Sequence, residues 1–115
     1  MLNEKDRIRI RHMLDYSREA VELAKEATRA DLDTNRLLEL ALVRLLELVG
    51  EAAARVSPGV RTSCSEIPWS LIVGMRNRLI HGYDAVDSDV LWDTLSDDLP
   101  RLIDELEKTV PPEPQ

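Results

Sequence analysis

The segment Arg76-Asn77-Arg78-Leu79-Ile80-His81-Gly82-Tyr83 places two guanidiniums, a carboxamide, an imidazole and a phenol within eight residues. Arginine forks parallel N–H bonds onto phosphate oxygens. Histidine exchanges protons near neutral pH, and a free phenol can accept a covalent modification. Together these types suit chemistry on a phosphodiester. The setting makes the cluster stand out: the 115-residue chain carries a formal net charge of -7, yet Arg61 to Gly82 holds three Arg against one Glu. The overall charge argues against a general nucleic-acid binder, because phosphate is repelled. A local positive island is compatible with one focused site.

A bland reading stands beside this one, since a helix-end His flanked by arginines is commonly a cap plus a solvated face, and short motifs alone are weak. Other chemistries have less support. Two histidines and one cysteine, far apart, offer no zinc-ligand spacing. No Gly-rich phosphate loop follows a strand, and no serine sits in a nucleophile-elbow context. Cys64 lies in a polar joint away from any paired His and is expected to be inert. Asp84, Asp87, Asp89 and Asp97-Asp98 fit helix capping and a solvated first turn better than a divalent ion. His12, among the arginines of the first helix, reads as a surface residue.

The elements that must position the cluster are helical. The composition, 43% hydrophobic and 32% charged with no Phe and four Gly, points to a single all-α domain. A lone cysteine forms no internal disulfide, charge dominates Met1 to Met13, and the apolar runs are short. These features lead to the expectation of a cytoplasmic protein with no membrane span. The first helix is predicted from about Asn3, its N-cap, to Thr28. After an acidic joint at 31–34, a second runs to about Val56. Its apolar arc covers about half the circumference, wider than the ~100° stripe of a surface helix. That width suits a crowded core or a subunit interface. Ser57-Pro58-Gly59 stops it, and Arg61 to Glu66 is read as a polar connection. Pro68 opens a third helix ending before Gly82, and Asp87 or Ser88 caps a fourth, which Pro100 should kink or break. The expected architecture is an antiparallel four-helix up-and-down bundle over residues 1–110, with a flexible Pro-rich tail at 111–115.

On this plan His81 falls at the carboxyl end of the third helix. The helix dipole favours its cation while Arg76 and Arg78 oppose it, so the two effects compete. Asn77 and His81, at i and i+4, share a face. Arg76 and His81 lie about 140° apart around a continuous helix. Both can reach one phosphodiester only if the helix ends at His81 or a second subunit completes the site.

At these residues the chain resembles the HEPN superfamily, and within it the HepT-like toxins of two-gene (type VII) toxin–antitoxin modules. The signature Arg-polar-spacer-His is Arg76-Asn77 with His81, and the HepT version, Arg-x4-His-x-Tyr, is completed by Tyr83. The likeness extends through Gly50-Glu51-Ala52-Ala53, Ile67-Pro68-Trp69, Gly74-Met75 and Leu91-Trp92, and so covers most of the chain. It implies a HEPN-like bundle that forms a homodimer with the motif cleft at the interface. It also implies a metal-independent endoribonuclease with RNA as substrate and no cofactor. His81 would be the general acid or base, Arg76 would hold the phosphodiester, and Asn77 would orient His81 or substrate. The implied antitoxin partner is a minimal nucleotidyltransferase that silences the toxin by AMPylation of Tyr83. Arg78 is a candidate phosphate contact beside Arg76. Two alternatives stay open: a non-catalytic helical partner that regulates a nucleotidyltransferase, and, with weaker support, a substrate-binding subunit for small-molecule nucleotidyl transfer.

Overall fold

The computed structural model describes residues 2–81 and 85–110, with the backbone alone at His81. Helix α1 (Glu4–Ala24) begins as expected: Asn3 caps it, its Oδ1 accepting from the Asp6 N–H at 2.8 Å, with Glu4 and Asp6 in the first turn. Ile10, Met13, Leu14, Ser17 and Ala20 form its buried stripe at helical spacing. The helix stops at Ala24, short of Thr28, and the acidic joint folds into a single turn, α2 (Asp31–Thr34). The Asp31 carboxylate accepts from the Thr28 N–H at 2.8 Å, and Leu32 is buried.

Helix α3 (Arg36–Ala54) is the centre of the molecule. Asn35 caps it through the Leu38 N–H, and Leu42, Leu46, Val49 and Ala53 are fully enclosed. Its predicted apolar arc holds along the inner face, but Leu37 lies 80% exposed and Leu40 47%. The connection after Ser57 is not purely irregular: Pro58 opens a short helix, α4 (Pro58–Ser63). Asp6 is buried there, accepting from the Ser57 N–H at 2.9 Å and the Ser57 hydroxyl at 2.7 Å, which ties the start of α1 to the start of α4.

The predicted third helix is two short ones, α5 (Trp69–Val73) and α6 (Met75–Leu79), divided at Gly74. It does not reach His81. Ile80 turns extended, and Ile80–His81 (β1) pairs antiparallel with Ala85–Val86 (β2) in the register Ile80↔Val86, His81↔Ala85. The cause is local: the Asp87 N–H donates to the Leu79 carbonyl at 2.7 Å, closing a small ribbon across the helix end, and the β-branched Ile80 suits extended backbone.

Asp87 then caps α7 (Ser88–Asp93) by accepting from the Asp89 and Val90 N–H groups. A π-helical turn over Thr94–Asp98 leads into α8 (Leu99–Thr109), where Pro100 sits in the first turn. The wide turn passes the chain into the proline without its ring meeting the carbonyl four residues back. The tail at 111–115 lies outside the described residues.

Helix α1 packs on α3 and α8, α3 also packs on α5 and α6, and α6 touches α7. One continuous core runs through all of them. The positions of the four expected helices are filled by α1, α3, the α5–α6 pair and the α7–α8 run, so the all-α fold stands with its third and fourth members interrupted. Among the described residues no helix is long and apolar enough to cross a membrane.

Candidate active site

Arg76 sits on α6, a helix of five residues that could not fix a long side chain by itself. Its placement comes from docking against α3. Gly50 makes that docking close: a Cβ there would stand 3.0 Å from the Ile72 carbonyl oxygen. Helix α5 therefore rides on the α3 backbone, and the break at Gly74 brings α6 over Glu47. The Arg76 Nε–H donates to Glu47 Oε2 at 2.6 Å; the Glu47 side chain is 19% exposed and that of Arg76 62%. Arg44 flanks the pair, its Nη1 lying 3.9 Å from Glu47 and 3.4 Å from Glu51. Arg76, Glu47, Gly50 and Val73 line a shallow depression of about 180 Å³.

Asn77 and Arg78 are also exposed on α6. Arg78, however, borders a different groove, about 490 Å³ between α5–α6 and α8, with Leu71 and Arg101 on its walls. The two motif arginines thus face separate depressions of one protomer. The i, i+4 pairing of Asn77 with His81 expected on a continuous helix does not hold, because the helix ends at Leu79. For the same reason the 140° separation of Arg76 from His81 no longer applies. His81 enters the ribbon directly after the helix end, and Gly82, Tyr83 and Asp84 lie outside the described residues.

The positive island also needs correcting. Arg61 is committed to the end of α3: its Nε donates to the Val56 carbonyl at 3.1 Å, and its Nη2 to those of Ala53 and Ala54 at 3.1 and 2.8 Å. The guanidinium also lies 5.9 Å from the Trp69 ring centre. A cation on exposed helix-end carbonyls is a cap, so the local positive charge left for a ligand is Arg76 and Arg78. Cys64 is half-buried, and its carbonyl accepts from Trp69 Nε1. His12 lies beside Tyr16, ring centres 6.0 Å apart, on α1. Asp87 and Asp89 serve a helix cap and an ion pair with Arg29, matching the capping reading of the acidic cluster.

Glu47 is the residue that reading the sequence missed. With Arg44 and Glu51 it falls at i+3 and i+4 spacing, which looks like any solvated charged arc of a helix. Nothing in that spacing reveals that a second element lays an arginine across it.

The chain is similar to known proteins over most of its length. The sequence model of the family described as Ribonuclease HepT-like matches residues 13–109. A protein of Thermococcus cleftensis named "Probable ribonuclease HepT" is 38% identical over 94 residues, covering 78% of this chain and 86% of that one. One from Caldanaerobacter subterraneus, named a "Putative RNase", is 35% identical over 101 residues, covering 88% and 87%. Another so named, from Methanocaldococcus jannaschii, is 30% identical over 95 residues, covering 83% and 87%. No solved structure gives a significant match. A match spanning all the helices from the middle of α1 to the end of α8, with relatives of similar length, shows that the chain belongs to the HepT-like ribonuclease family and is by that membership an RNA endonuclease.

Proposed function

We propose that this ribonuclease is the toxin of a type VII toxin–antitoxin pair and cuts RNA without a metal ion. The ribose 2′-hydroxyl loses its proton to a general base and attacks the adjacent phosphorus. The bond to the 5′-oxygen breaks, and that oxygen takes a proton from a general acid. The products are a 2′,3′-cyclic phosphate and a free 5′-hydroxyl. His81 serves as one proton-transfer group and the His81 of a second protomer as the other. Arg76 holds the phosphodiester and offsets the charge growing on its oxygens. Asn77 orients the imidazole or the substrate, and Arg78 takes a more distant phosphate.

The observation that supports this reading best is the state of Arg76. It stands exposed near a helix end, and among the described residues it is held through Nε alone, its two terminal nitrogens having no partner there. Those nitrogens are the end of the fork that meets a phosphate. The exposed stripe of Leu37 and Leu40 continues along α3 through Arg44, Glu47 and Glu51 at helical spacing. Exposed leucines on the same stripe of α3 as the Arg76 depression support a homodimer with the two sites on one cleft.

Silencing follows from the motif tyrosine. A minimal nucleotidyltransferase partner transfers AMP to the Tyr83 hydroxyl, adding bulk and negative charge two residues from His81, which excludes RNA by sterics and repulsion. The test is to incubate the protein, its intact mass first checked for AMP, with cellular RNA in the presence of EDTA. Cleavage to cyclic-phosphate ends, strongly slowed in Arg76→Ala and abolished in His81→Ala, is expected. An unmodified protein that cuts nothing would favour the alternative in which the bundle only binds and regulates its nucleotidyltransferase.

A further inference from the structure

We infer that Glu47 is a positioning residue for the Arg76 guanidinium, an assignment that rests on the ribonuclease reading above. Helix α6 spans only Met75–Leu79 and is bounded by Gly74 and the extended Ile80, so its own backbone gives an exposed arginine little constraint. Free in solvent, that side chain would sample many rotamers. Glu47 removes this freedom at a chosen atom. Its Oε2 takes Nε–H at 2.6 Å, while the carboxylate itself is mostly buried on a long, rigid helix. Binding at Nε leaves Nη1 and Nη2, which have no partner among the described residues, for the two parallel bonds by which arginine takes a phosphate.

Arg44 completes the arrangement. Two carboxylates, Glu47 and Glu51, border the phosphate site and would repel the substrate, but Arg44, 3.9 Å from the first and 3.4 Å from the second, together with Arg76 matches them charge for charge. The close approach at Gly50 sets the distance between α3 and the α5–α6 pair, and so sets whether the carboxylate and the guanidinium meet. Glu47 touches no substrate in this account. It acts through Arg76, and its contribution belongs to the step in which phosphate charge develops, where misplacement of a group by about 1 Å costs on the order of 10²-fold in rate.

The experiment measures kcat and KM on a short RNA for wild type, Glu47→Ala, Glu47→Gln, Arg76→Ala and the double variant, with melting temperature and helical content recorded for each. Glu47→Ala is expected to lower kcat about 10- to 100-fold with a small change in KM. Glu47→Gln, whose amide oxygen still accepts from Nε, is expected to recover most of that loss. In the Arg76→Ala background Glu47→Ala should have no further effect, the signature of two residues acting as one unit. Wild-type kinetics in a folded Glu47→Ala, alongside a strongly slowed Arg76→Ala, overturns the positioning role and leaves the ribonuclease reading intact. Equal losses in Glu47→Gln and Glu47→Ala, or additive losses in the double variant, also overturn it. Absence of cleavage by unmodified wild type, or full activity of Arg76→Ala, overturns the ribonuclease reading itself and the positioning role with it.

Discussion

At the scale of single residues, two carboxylates with short hydrogen bonds do different jobs. Glu47 holds an exposed arginine for use, whereas Asp6 holds the fold. The Asp6 carboxyl is kept below its ordinary value of 3.8, first by the Ser57 backbone N–H and then by the Ser57 hydroxyl, against the opposing effect of burial. A carboxyl with a depressed folded-state pKa contributes stability above its unfolded pKa, and that contribution is lost as pH falls through the folded value. Urea unfolding midpoints should therefore drop more steeply on acidification below 3.8 in the wild type than in Asp6→Asn, which should be the less stable protein at neutral pH. Parallel pH profiles for the two proteins would show that Asp6 has no such role. Tyr83 belongs to the same scale. Tyr83→Phe, co-expressed with an active nucleotidyltransferase partner, is expected to stay unmodified by intact mass and to remain toxic. Full neutralisation of that variant would mean that silencing proceeds by another route.

At the scale of elements, the site depends on how closely two helices approach. Ala in place of Gly50 would gain about 1 kcal/mol of helix propensity. The new methyl, however, would meet the Ile72 carbonyl oxygen at 3.0 Å, a backbone atom that cannot rotate aside. Overpacking of that kind costs about 1–3 kcal/mol, so the clash outweighs the propensity gain. Gly50→Ala is expected to lower the melting temperature and, by pushing α5–α6 outward, to weaken the Glu47–Arg76 contact and lower ribonuclease activity. An unchanged melting temperature with full activity would show that the interface gives without consequence. Helix α6 also marks what was hidden in the sequence. Asn3, Asp87 and Pro100 act locally, through one side-chain oxygen or one missing N–H, and so most of their effects were readable. The end of α6 at Leu79 depends on a hydrogen bond from Asp87, eight positions on, and no helical periodicity carries that information. Arg61 misled for a similar reason: its charge was legible, but the carbonyls of Val56, Ala53 and Ala54 that occupy it were not.

At the scale of the whole molecule, the amphipathic spacing of the long helices was enough to bring out the all-α fold, because burial of Leu42, Leu46, Leu91, Leu99 and Leu106 follows directly from their period. The wide apolar arc of α3 was ambiguous from spacing alone, between a crowded core and a subunit contact. Leu37 at 80% and Leu40 at 47% exposure resolve it against a core within one chain at that end. If they instead form the dimer seam, Leu37→Glu with Leu40→Glu should shift the protein to monomer in sedimentation velocity while leaving its helical content unchanged. Activity per protomer should then fall with the dimer. A double variant that stays dimeric would move the seam elsewhere.

The most direct test of the central claim is cleavage of RNA in EDTA by protein whose intact mass shows no added AMP. The account predicts fragments ending in 2′,3′-cyclic phosphate, with Arg76→Ala slower by about 10²–10³-fold, as for removal of a group that stabilises transition-state charge, and His81→Ala inactive. Unmodified, folded protein that leaves RNA intact at every accessible concentration, or that cuts equally well without Arg76 and His81, would contradict it.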